Sequence, residues 1–362
     1  MYSEQKDWQP IFIKKEEIEL FKKNNPNIVK RDAFTRQIKE LFFIDNLQFV
    51  GKDKEESYQT KEFKEYAETK AFDHVYVYYP WNFHLIKTVQ ENDYFKLKTN
   101  RNQDLITKEE QLKLRDFKVA VLGMSVGSNI AFVLTQAGIS KEIILADFDE
   151  LDTSNLNRIL AGLQYVGVNK TFVAAAHIFE DNPFAQITTL SEGVNQENLE
   201  AQIKAGKVNC IVEEIDDIPF KITVRELAIK YKIPVVMVTD NGDGVVLHIE
   251  RYDLGHTKIW GKDVNYFKEN IRSGSLSKEE AGKIIMFDIV GGPDKVDPKM
   301  LASVKRVLAR ELISWSQLGS AAILGGVVAT HAIKGIALET DTRPDVRTYI
   351  TPTSVYLADH TS

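Results

Sequence analysis

The stretch Lys118–Arg158 decides the fold of this chain, and it reads KVAVLGMSVGSNIAFVLTQAGISKEIILADFDELDTSNLNR. A short apolar strand at Val119–Leu122 runs into the glycine turn 123–127, and a helix with apolar residues at helical spacing follows. A second apolar strand then ends on Asp147, 24 residues after Gly123. Strand, glycine turn, helix, strand and terminal acid are the layout of a mononucleotide-binding unit.

Strand-like and helical patterns continue to alternate after this unit. We predict helices at Asn169–Phe179, near Gln196–Ala205 and from Pro219, and strands at Ile187–Leu190, Cys210–Ile215 and Pro234–Val238. This alternation predicts an α/β fold with a doubly wound, mostly parallel Rossmann-like sheet. From Val245 the pattern changes, and the run VVLHIERYD predicts an antiparallel addition to that sheet.

The 362 residues of the chain are enough for two domains. Residues 1–95 are rich in charged and aromatic residues and contain a strand-like run that ends at Pro80, so we assign them to a small N-terminal α+β accessory domain. We assign residues 96–338 to the nucleotide-binding domain and residues 339–362 to a C-terminal tail. A capping box at Thr107–Glu110 predicts a short helix just before the first strand of the second domain.

Composition narrows the possible partners and location. The net charge of −6 and the lack of a basic stripe argue against a nucleic acid partner. The N-terminal run MYSEQKDWQP lacks a basic-then-apolar signal pattern, which favours a cytoplasmic protein. The single cysteine, Cys210, excludes disulfides and cysteine-based zinc sites within the chain. Because Cys210 falls inside a predicted apolar strand, we interpret it as a core residue.

The segment Leu312–Ile333 contains no Asp, Glu, Lys or Arg over 22 residues, which is long enough to span a membrane. It also contains serines, a glutamine, a threonine, a histidine and many small residues. These residues favour a close-packed helix buried in the core or in a subunit interface over a membrane span. We therefore expect no membrane partner.

The glycine turn admits two interpretations. G-x-S-x-G between a strand and a helix is also the nucleophile elbow of α/β-hydrolases. That class needs a His-Gly-Gly run upstream, which this sequence lacks, and an acid and a histidine downstream, which nothing in the sequence marks. In the nucleotide interpretation, Gly123 makes the tight turn, Gly127 lets backbone approach phosphate, and the helix N-terminus adds positive charge. Asp147 is then placed to accept hydrogen bonds from ribose hydroxyls.

The segment Asp147–Arg158 carries a resemblance to a known family. It reads DFDELDTSNLNR and matches in register the D-x-D-x-x-x-x-S-N-L-x-R run of the ThiF/MoeB/HesA superfamily, the relatives of ubiquitin-activating enzymes. Three further segments resemble motifs of that superfamily in the same order along the chain. They are Asn100–Asn102, the G-x-x-K run Gly167–Lys170, and Glu214–Asp217 followed by Lys221. The resemblance extends over about residues 75 to 338.

The resemblance implies an ATP-dependent adenylyltransferase. Such an enzyme activates a carboxylate of a peptide or small carrier protein as an acyl-adenylate and releases pyrophosphate, with cations aimed at the phosphates. It implies Arg101, Arg158, Lys170 and Asp216 as catalytic residues, with Arg101 reaching the partner's site in a homodimer. It also implies a nucleotide site formed by Gly123, Ser125, Gly127, Asp147, Asp149, Asn155, Arg158 and Lys170. Asp216 would bind Mg²⁺ together with phosphate oxygens and water.

The chain departs from the superfamily in two respects. Its glycine loop reads G-M-S-V-G-S in place of G-x-G-G-x-G, and it has no C-x-x-C pairs for a zinc site. With Cys210 in the core, we predict no internal thioester cysteine. Two other functions stay open, an NAD-dependent oxidoreductase on the same fold and a non-catalytic nucleotide-binding subunit. The oxidoreductase does not account for Arg158, Lys170 and Asp216 together.

Overall fold

A computed structural model describes residues 5–270 and 276–351 of the chain. These residues form two compact units. The first unit extends to Leu112 and includes Ile178–Phe184. The second contains Lys113–His177 and the residues from Ala185 onward.

The first unit contains a mixed sheet whose described strands lie in the order β1-β3-β4-β2. Its elements are β1 (Ile11–Ile13), α1 (Ile18–Asn24), β2 (Val29–Asp32), α2 (Phe34–Asp45), α3 (Lys54–Gln59), α4 (Lys61–Lys70), β3 (His74–Tyr79), β4 (His84–Val89), α5 (Glu91–Thr99) and the first half of α6 (Lys108–Asp116), which continues into the second unit. Residues 178–184 belong here because Tyr79 Oη donates to the Phe179 carbonyl at 3.0 Å and Trp81 Nε1 donates to Glu180 at 2.7 Å.

The second unit contains a larger sheet whose described strands lie in the order β11-β10-β9-β8-β5-β6-β7. Its strands are β5 (Val119–Leu122), β6 (Glu142–Ala146), β7 (Gln186–Leu190), β8 (Cys210–Glu213), β9 (Val235–Asn241), β10 (Gly244–Glu250) and β11 (Asp345–Ile350). Its helices are α7 (Val126–Gln136), α8 (Lys170–Asp181, whose residues from Ile178 belong to the first unit), α9 (Gln196–Lys204), α10 (Ile218–Tyr231), α11 (Val264–Asn270), α12 (Lys278–Lys283), α13 (Pro298–Leu308) and α14 (Gly319–Ala337).

This sheet confirms the predicted α/β class. Strands β9, β8, β5, β6 and β7 run parallel, and β10 and β11 add antiparallel to one edge. The chain passes from β5 to β6 and β7 on one side and returns to β8 and β9 on the other. The carboxyl ends of β5 and β8 therefore lie beside the switch point where ligands bind in doubly wound folds. Strand β11 comes from the segment that the sequence analysis assigns to a tail.

Several element boundaries differ from the prediction, and the contacts around two of them explain the difference. Strand β8 ends at Glu213, not at Ile215, because the Ile215 N–H donates to the Glu213 side chain at 2.8 Å and the chain turns away. The apolar segment predicted from Leu312 becomes helical only at Gly319. A Cβ at Gly319 would lie 2.3 Å from the carbonyl oxygen of Asn157, so this glycine lets the start of α14 approach the loop after β6.

By length and composition, one helix in the described part of the chain, α14, is long and apolar enough to cross a membrane. In the structure, α14 packs against α7 and against β9 and β10. Ala321, Ala322 and Ala329 on this helix are fully buried. The small residues predicted for close packing therefore lie against the core of the second unit.

Candidate nucleotide-binding site

The glycine turn begins where β5 ends at the switch point. Gly123 has φ +92°, a conformation that side chains disfavour, and its N–H donates to the Ala146 carbonyl at 2.7 Å. A Cβ on Gly123 would lie 2.4 Å from the carbonyl oxygen of Glu214. Gly127 has a packing reason as well, because a Cβ there would lie 2.9 Å from Val121. The two glycines thus bring the N-terminus of α7 close to the sheet.

Asp147 follows β6 and is fixed in orientation by two backbone groups. Its carboxylate accepts the N–H of Met124 at 2.7 Å and the N–H of Asp149 at 2.8 Å. Burial raises the pKa of Asp147, and the positive charge of Lys170 opposes that rise. Each carboxylate oxygen keeps a second lone pair, so Asp147 can still accept hydrogen bonds from ribose hydroxyls.

Lys170 is joined directly to the D-x-D segment. Its Nζ lies 2.7 Å from Asp149 Oδ2, and its backbone N–H donates to the Asp149 carbonyl at 2.9 Å. Its side chain is only 11% exposed, and the residue begins α8. The side chain of Asn169 donates to the Asp147 carbonyl at 3.1 Å. The structure thus brings the D-x-D and G-x-x-K motifs together around Asp147.

Arg158 also contacts the glycine turn. Its Nε donates to Ser125 Oγ at 3.2 Å, and one terminal nitrogen donates to Asn157 Oδ1 at 3.0 Å. The backbone is fixed too, because Asn129 on α7 donates to the Arg158 carbonyl at 2.9 Å. A guanidinium therefore lies beside the N-terminus of a helix, where backbone N–H groups favour anions. Both groups have the charge and the hydrogen-bond donors that suit a phosphate.

Asn155 contributes through local structure. Its side chain accepts the N–H of Asp152 at 3.0 Å, and its carbonyl accepts the N–H of Arg158 at 3.0 Å. Asn155 thus shapes the short turn from which Arg158 projects.

Asp216 is exposed in the loop between β8 and α10. The described residues contain no group of three or more His, Cys, Asp or Glu side chains suited to a metal ion. A single exposed carboxylate still fits Mg²⁺, which often binds through one or two carboxylates, with phosphate oxygens and water as its other ligands. Arg101 lies in the 3₁₀ turn Asn100–Asn102 of the first unit, while the other proposed site residues belong to the second unit.

Comparison with known proteins decides the family. Residues 97–356, well over half of the chain, match the ThiF family. The chain belongs to the ThiF family. The tRNA threonylcarbamoyladenosine dehydratase of Bacillus subtilis is 33% identical over 199 residues, which cover 52% of this chain and 78% of that protein. ATP-dependent carboxylate adenylation is the chemistry of this family, and the resemblance predicted from Asp147–Arg158 is confirmed.

Other relatives share less. An uncharacterised protein of Mycobacterium tuberculosis is 32% identical over 179 residues, which cover 49% of this chain and 24% of that protein. This chain therefore spans about a quarter of that relative's length. The crystal structure of the E. coli tRNA N6-threonylcarbamoyladenosine dehydratase in complex with AMP gives a TM-score of 0.48 at 18% identity, with 68% of this chain and 97% of that chain covered.

One acid of this ThiF-family site was missed by sequence reasoning. Asp240, near the end of β9, is only 8% exposed, and neither carboxylate oxygen makes a hydrogen bond of standard geometry among the described residues. Burial raises the pKa of Asp240 to about 6, while the charge of Arg158 and the approaching side chain of Gln317 oppose the rise. An acid just after the predicted strand Pro234–Val238 was the available signal, because parallel strands end at one edge.

An apolar pocket lies beside Lys170, between α7 and α8. It is lined by Ser128, Phe132, Leu151, Ile159, Leu160, Lys170, Val173, Ala174 and His177. Its one lysine, Lys170, already faces Asp149.

Proposed function

We propose that this protein is an adenylyltransferase that uses ATP to activate a carboxylate of a peptide or small carrier protein as an acyl-adenylate. One observation carries the proposal. The glycine turn contacts an acid suited to ribose hydroxyls, Asp147, and a guanidinium suited to phosphate, Arg158. The adenylation chemistry of the ThiF family supports this assignment.

In the proposed reaction, a carboxylate oxygen attacks the α-phosphorus of ATP. A new P–O bond forms to the carboxylate, and the bond to pyrophosphate breaks, so that pyrophosphate leaves with the electron pair. The carboxylate and the phosphates are both anions, and negative charge grows on the leaving pyrophosphate. Fixed cations should therefore make the largest contribution to the rate acceleration. Arg158 would bind phosphate oxygens in a bidentate manner, and Lys170 would turn from Asp149 to act as a point charge.

Mg²⁺ is proposed to bind at Asp216 with phosphate oxygens and water. When bound, it would neutralise phosphate charge and favour departure of pyrophosphate. The exposure of Asp216 at the switch point supports this role.

The activated acyl group is proposed to pass to an acceptor outside the chain. Cys210 is fully buried in β8, and burial raises the pKa of its thiol well above the usual range. A buried, protonated thiol is a poor nucleophile. An external thiol, an amine or a neighbouring group of the same substrate would therefore take the acyl group.

A homodimer is proposed to complete the site, with Arg101 supplied by the partner subunit. Large apolar side chains are exposed around the start of α14, namely Leu308, Ile313, Trp315, Leu318, Ile323 and Val327. Exposed apolar side chains concentrated in one segment support an association surface.

The test is ATP–pyrophosphate exchange with Mg²⁺, with and without a pool of candidate peptides and carrier proteins. We expect exchange that depends on one carboxylate and falls about a hundredfold in Arg158→Ala, since loss of a group that stabilises transition-state charge costs roughly that much. Arg343→Ala is the matched control, because Arg343 is an exposed arginine paired with Asp341 in the same unit, and it should leave exchange unchanged.

Three results would point elsewhere. Tight ATP binding without exchange for any candidate would favour the non-catalytic nucleotide-binding subunit. Binding of NAD in place of ATP would favour the oxidoreductase, because Asp147 is equally placed for the ribose of either nucleotide. Equal loss of exchange in Arg158→Ala and Arg343→Ala would remove the specific role of Arg158.

A further inference from the structure

A buried network of charges lies at the end of β8. Arg225 on α10 is fully buried and joins two carboxylates, with Glu213 Oε2 at 2.7 Å and Glu250 Oε2 at 2.9 Å. Lys221 contacts Glu213 Oε1 at 3.0 Å, and Tyr252 Oη donates to Glu250 Oε1 at 2.7 Å. Two cations thus balance two carboxylates inside the unit.

Stability alone explains such a network poorly. Removing charged groups from water is expensive, and buried ion pairs are often no more stable than apolar residues of similar volume. The network instead ends on the chain segment that carries the proposed metal ligand. Glu213 is the last residue of β8, and its Oε1 accepts the N–H of Ile215 at 2.8 Å. The carboxylate that Arg225 and Lys221 hold is therefore bonded directly to the loop.

The far side of the loop is fixed as well. Asp217 Oδ1 accepts the N–H of Phe220 at 2.7 Å and caps α10, and the Asp217 carbonyl accepts the N–H of Lys221 at 2.9 Å. Asp216 stands between these two fixed residues, with its own side chain exposed. Its backbone is thus held on both sides, and this limits the directions in which its carboxylate can point.

We propose that Glu213 and Arg225 are positioning residues that hold Asp216 ready to bind Mg²⁺ together with ATP. The inference rests on the proposed function, because it takes Asp216 as the metal ligand. Arg225 touches neither nucleotide nor metal and acts through Glu213 and the backbone of Ile215. Groups behind a metal ligand typically change metal affinity by about ten- to a hundredfold when they are altered.

Arg251 offers a matched control. Its side chain is 3% exposed and bonds Asp253, with Nε 2.9 Å from Oδ1. It follows β10, whose last residue, Glu250, pairs with the first residue of β9, so it lies at the edge of the sheet where the parallel strands begin. Arg251→Lys and Arg225→Lys both keep the charge and lose a bidentate or bridging guanidinium, but only Arg225→Lys affects the loop.

The experiment measures ATP affinity by calorimetry in saturating Mg²⁺ and in EDTA for the full chain, and takes the ratio of the two affinities. In Asp216→Asn, Mg²⁺ should no longer strengthen ATP binding, so the ratio should fall close to one. Arg225→Lys should lower the ratio about tenfold and leave metal-free ATP affinity within about twofold. Arg251→Lys should lower the melting temperature by about as much as Arg225→Lys does, and its affinity ratio should equal that of the wild type.

The possible failures are distinguishable. A wild-type ratio in Arg225→Lys, with a lost ratio in Asp216→Asn, would overturn the positioning role and leave the proposed function intact. A wild-type ratio in Asp216→Asn would overturn the inference by removing its metal ligand. If Arg225→Lys loses its near-UV circular dichroism, Lys221→Met, which removes one of the two cations on Glu213, should lower the ratio about threefold. No ATP binding by the wild type would overturn the inference and the proposed function together.

Discussion

Asp240 combines a charged side chain with a buried position next to the proposed phosphate-binding guanidinium. Its pKa is raised to about 6, whereas the pKa of an Asp in an unfolded chain is about 3.9. Between these two values the folded protein binds a proton that the unfolded chain has released. The free energy of unfolding therefore falls as pH rises from about 4 to about 6, and the loss persists above pH 6.

Asp240→Asn should remove this loss of unfolding free energy, because an amide does not titrate. We expect the variant to gain on the order of 2 kcal/mol in free energy of unfolding at pH 8 and less than about 1 kcal/mol at pH 4.5, where the native acid is already protonated. Chemical denaturation at the two pH values checks this. Asp243→Asn is the control, because Asp243 is exposed and an amide oxygen can still accept from Ser320. Equal gains for Asp240→Asn at both pH values would contradict the explanation.

Cys210 supports a second prediction for a single residue. Because its side chain is fully buried in β8, Cys210→Ala should lose only about 1 kcal/mol of stability from a small cavity. ATP–pyrophosphate exchange and formation of the final product should both persist. Loss of product formation in a variant with native circular dichroism would show that the reaction passes through a thioester at this residue.

Helix α14 packs against α7, the helix whose Asn129 holds the backbone of Arg158. A Cβ at Gly326 would lie 3.1 Å from the backbone of Asn129 on α7, the residue that donates to the Arg158 carbonyl. At Gly335 in the same helix, the nearest atom would lie at 3.4 Å, an ordinary contact. The close approach of the two helices therefore requires a glycine at position 326, whereas position 335 can accept a larger side chain.

Gly326→Ala and Gly335→Ala should consequently have opposite effects on stability. Gly335→Ala should raise stability by up to about 1 kcal/mol through helix propensity. Gly326→Ala should lower stability by about 1–3 kcal/mol through overpacking, and should weaken ATP binding because α7 must shift at Asn129. Thermal denaturation and ATP titration of both variants check this. A stabilised Gly326→Ala with wild-type ATP affinity would show that α7 does not transmit packing to Arg158.

The elements that the sequence predicts well are those determined by local pattern. Strand β5, the glycine turn and Asp147 follow from apolar runs and spacing, and the structure places them together. The end of β8 and the start of α14 were mispredicted because each depends on a tertiary contact. The Glu213 carboxylate, which accepts the N–H of Ile215, is held by Lys221 and Arg225, and Gly319 lies against Asn157. The network around Arg225 joins α10, β8 and β10, so no local spacing of residues signals it.

At the scale of the whole molecule, the proposed site residues are divided between the two units. Arg101 belongs to the first unit, and Arg158, Lys170 and Asp216 belong to the second. The sequence predicts a trans arrangement only through the resemblance to ThiF relatives, because no spacing within one chain encodes a contact between two copies. A homodimer with Arg101 acting across subunits therefore stays a proposal, and its symmetry makes it testable.

Mixing inactive subunits tests the proposal directly. In a heterodimer of Arg101→Ala and Asp216→Ala subunits, one site combines an intact Asp216 with an intact Arg101 from the partner, while the other site lacks both. Random mixing of equal amounts should thus restore about a quarter of wild-type exchange activity. The control mixture of Arg158→Ala and Asp216→Ala should restore none, because each site then keeps one defect of its own subunit. No recovery in the first mixture would show that Arg101 does not act across subunits, and recovery in the control mixture would show that Arg158 and Asp216 need not come from one subunit.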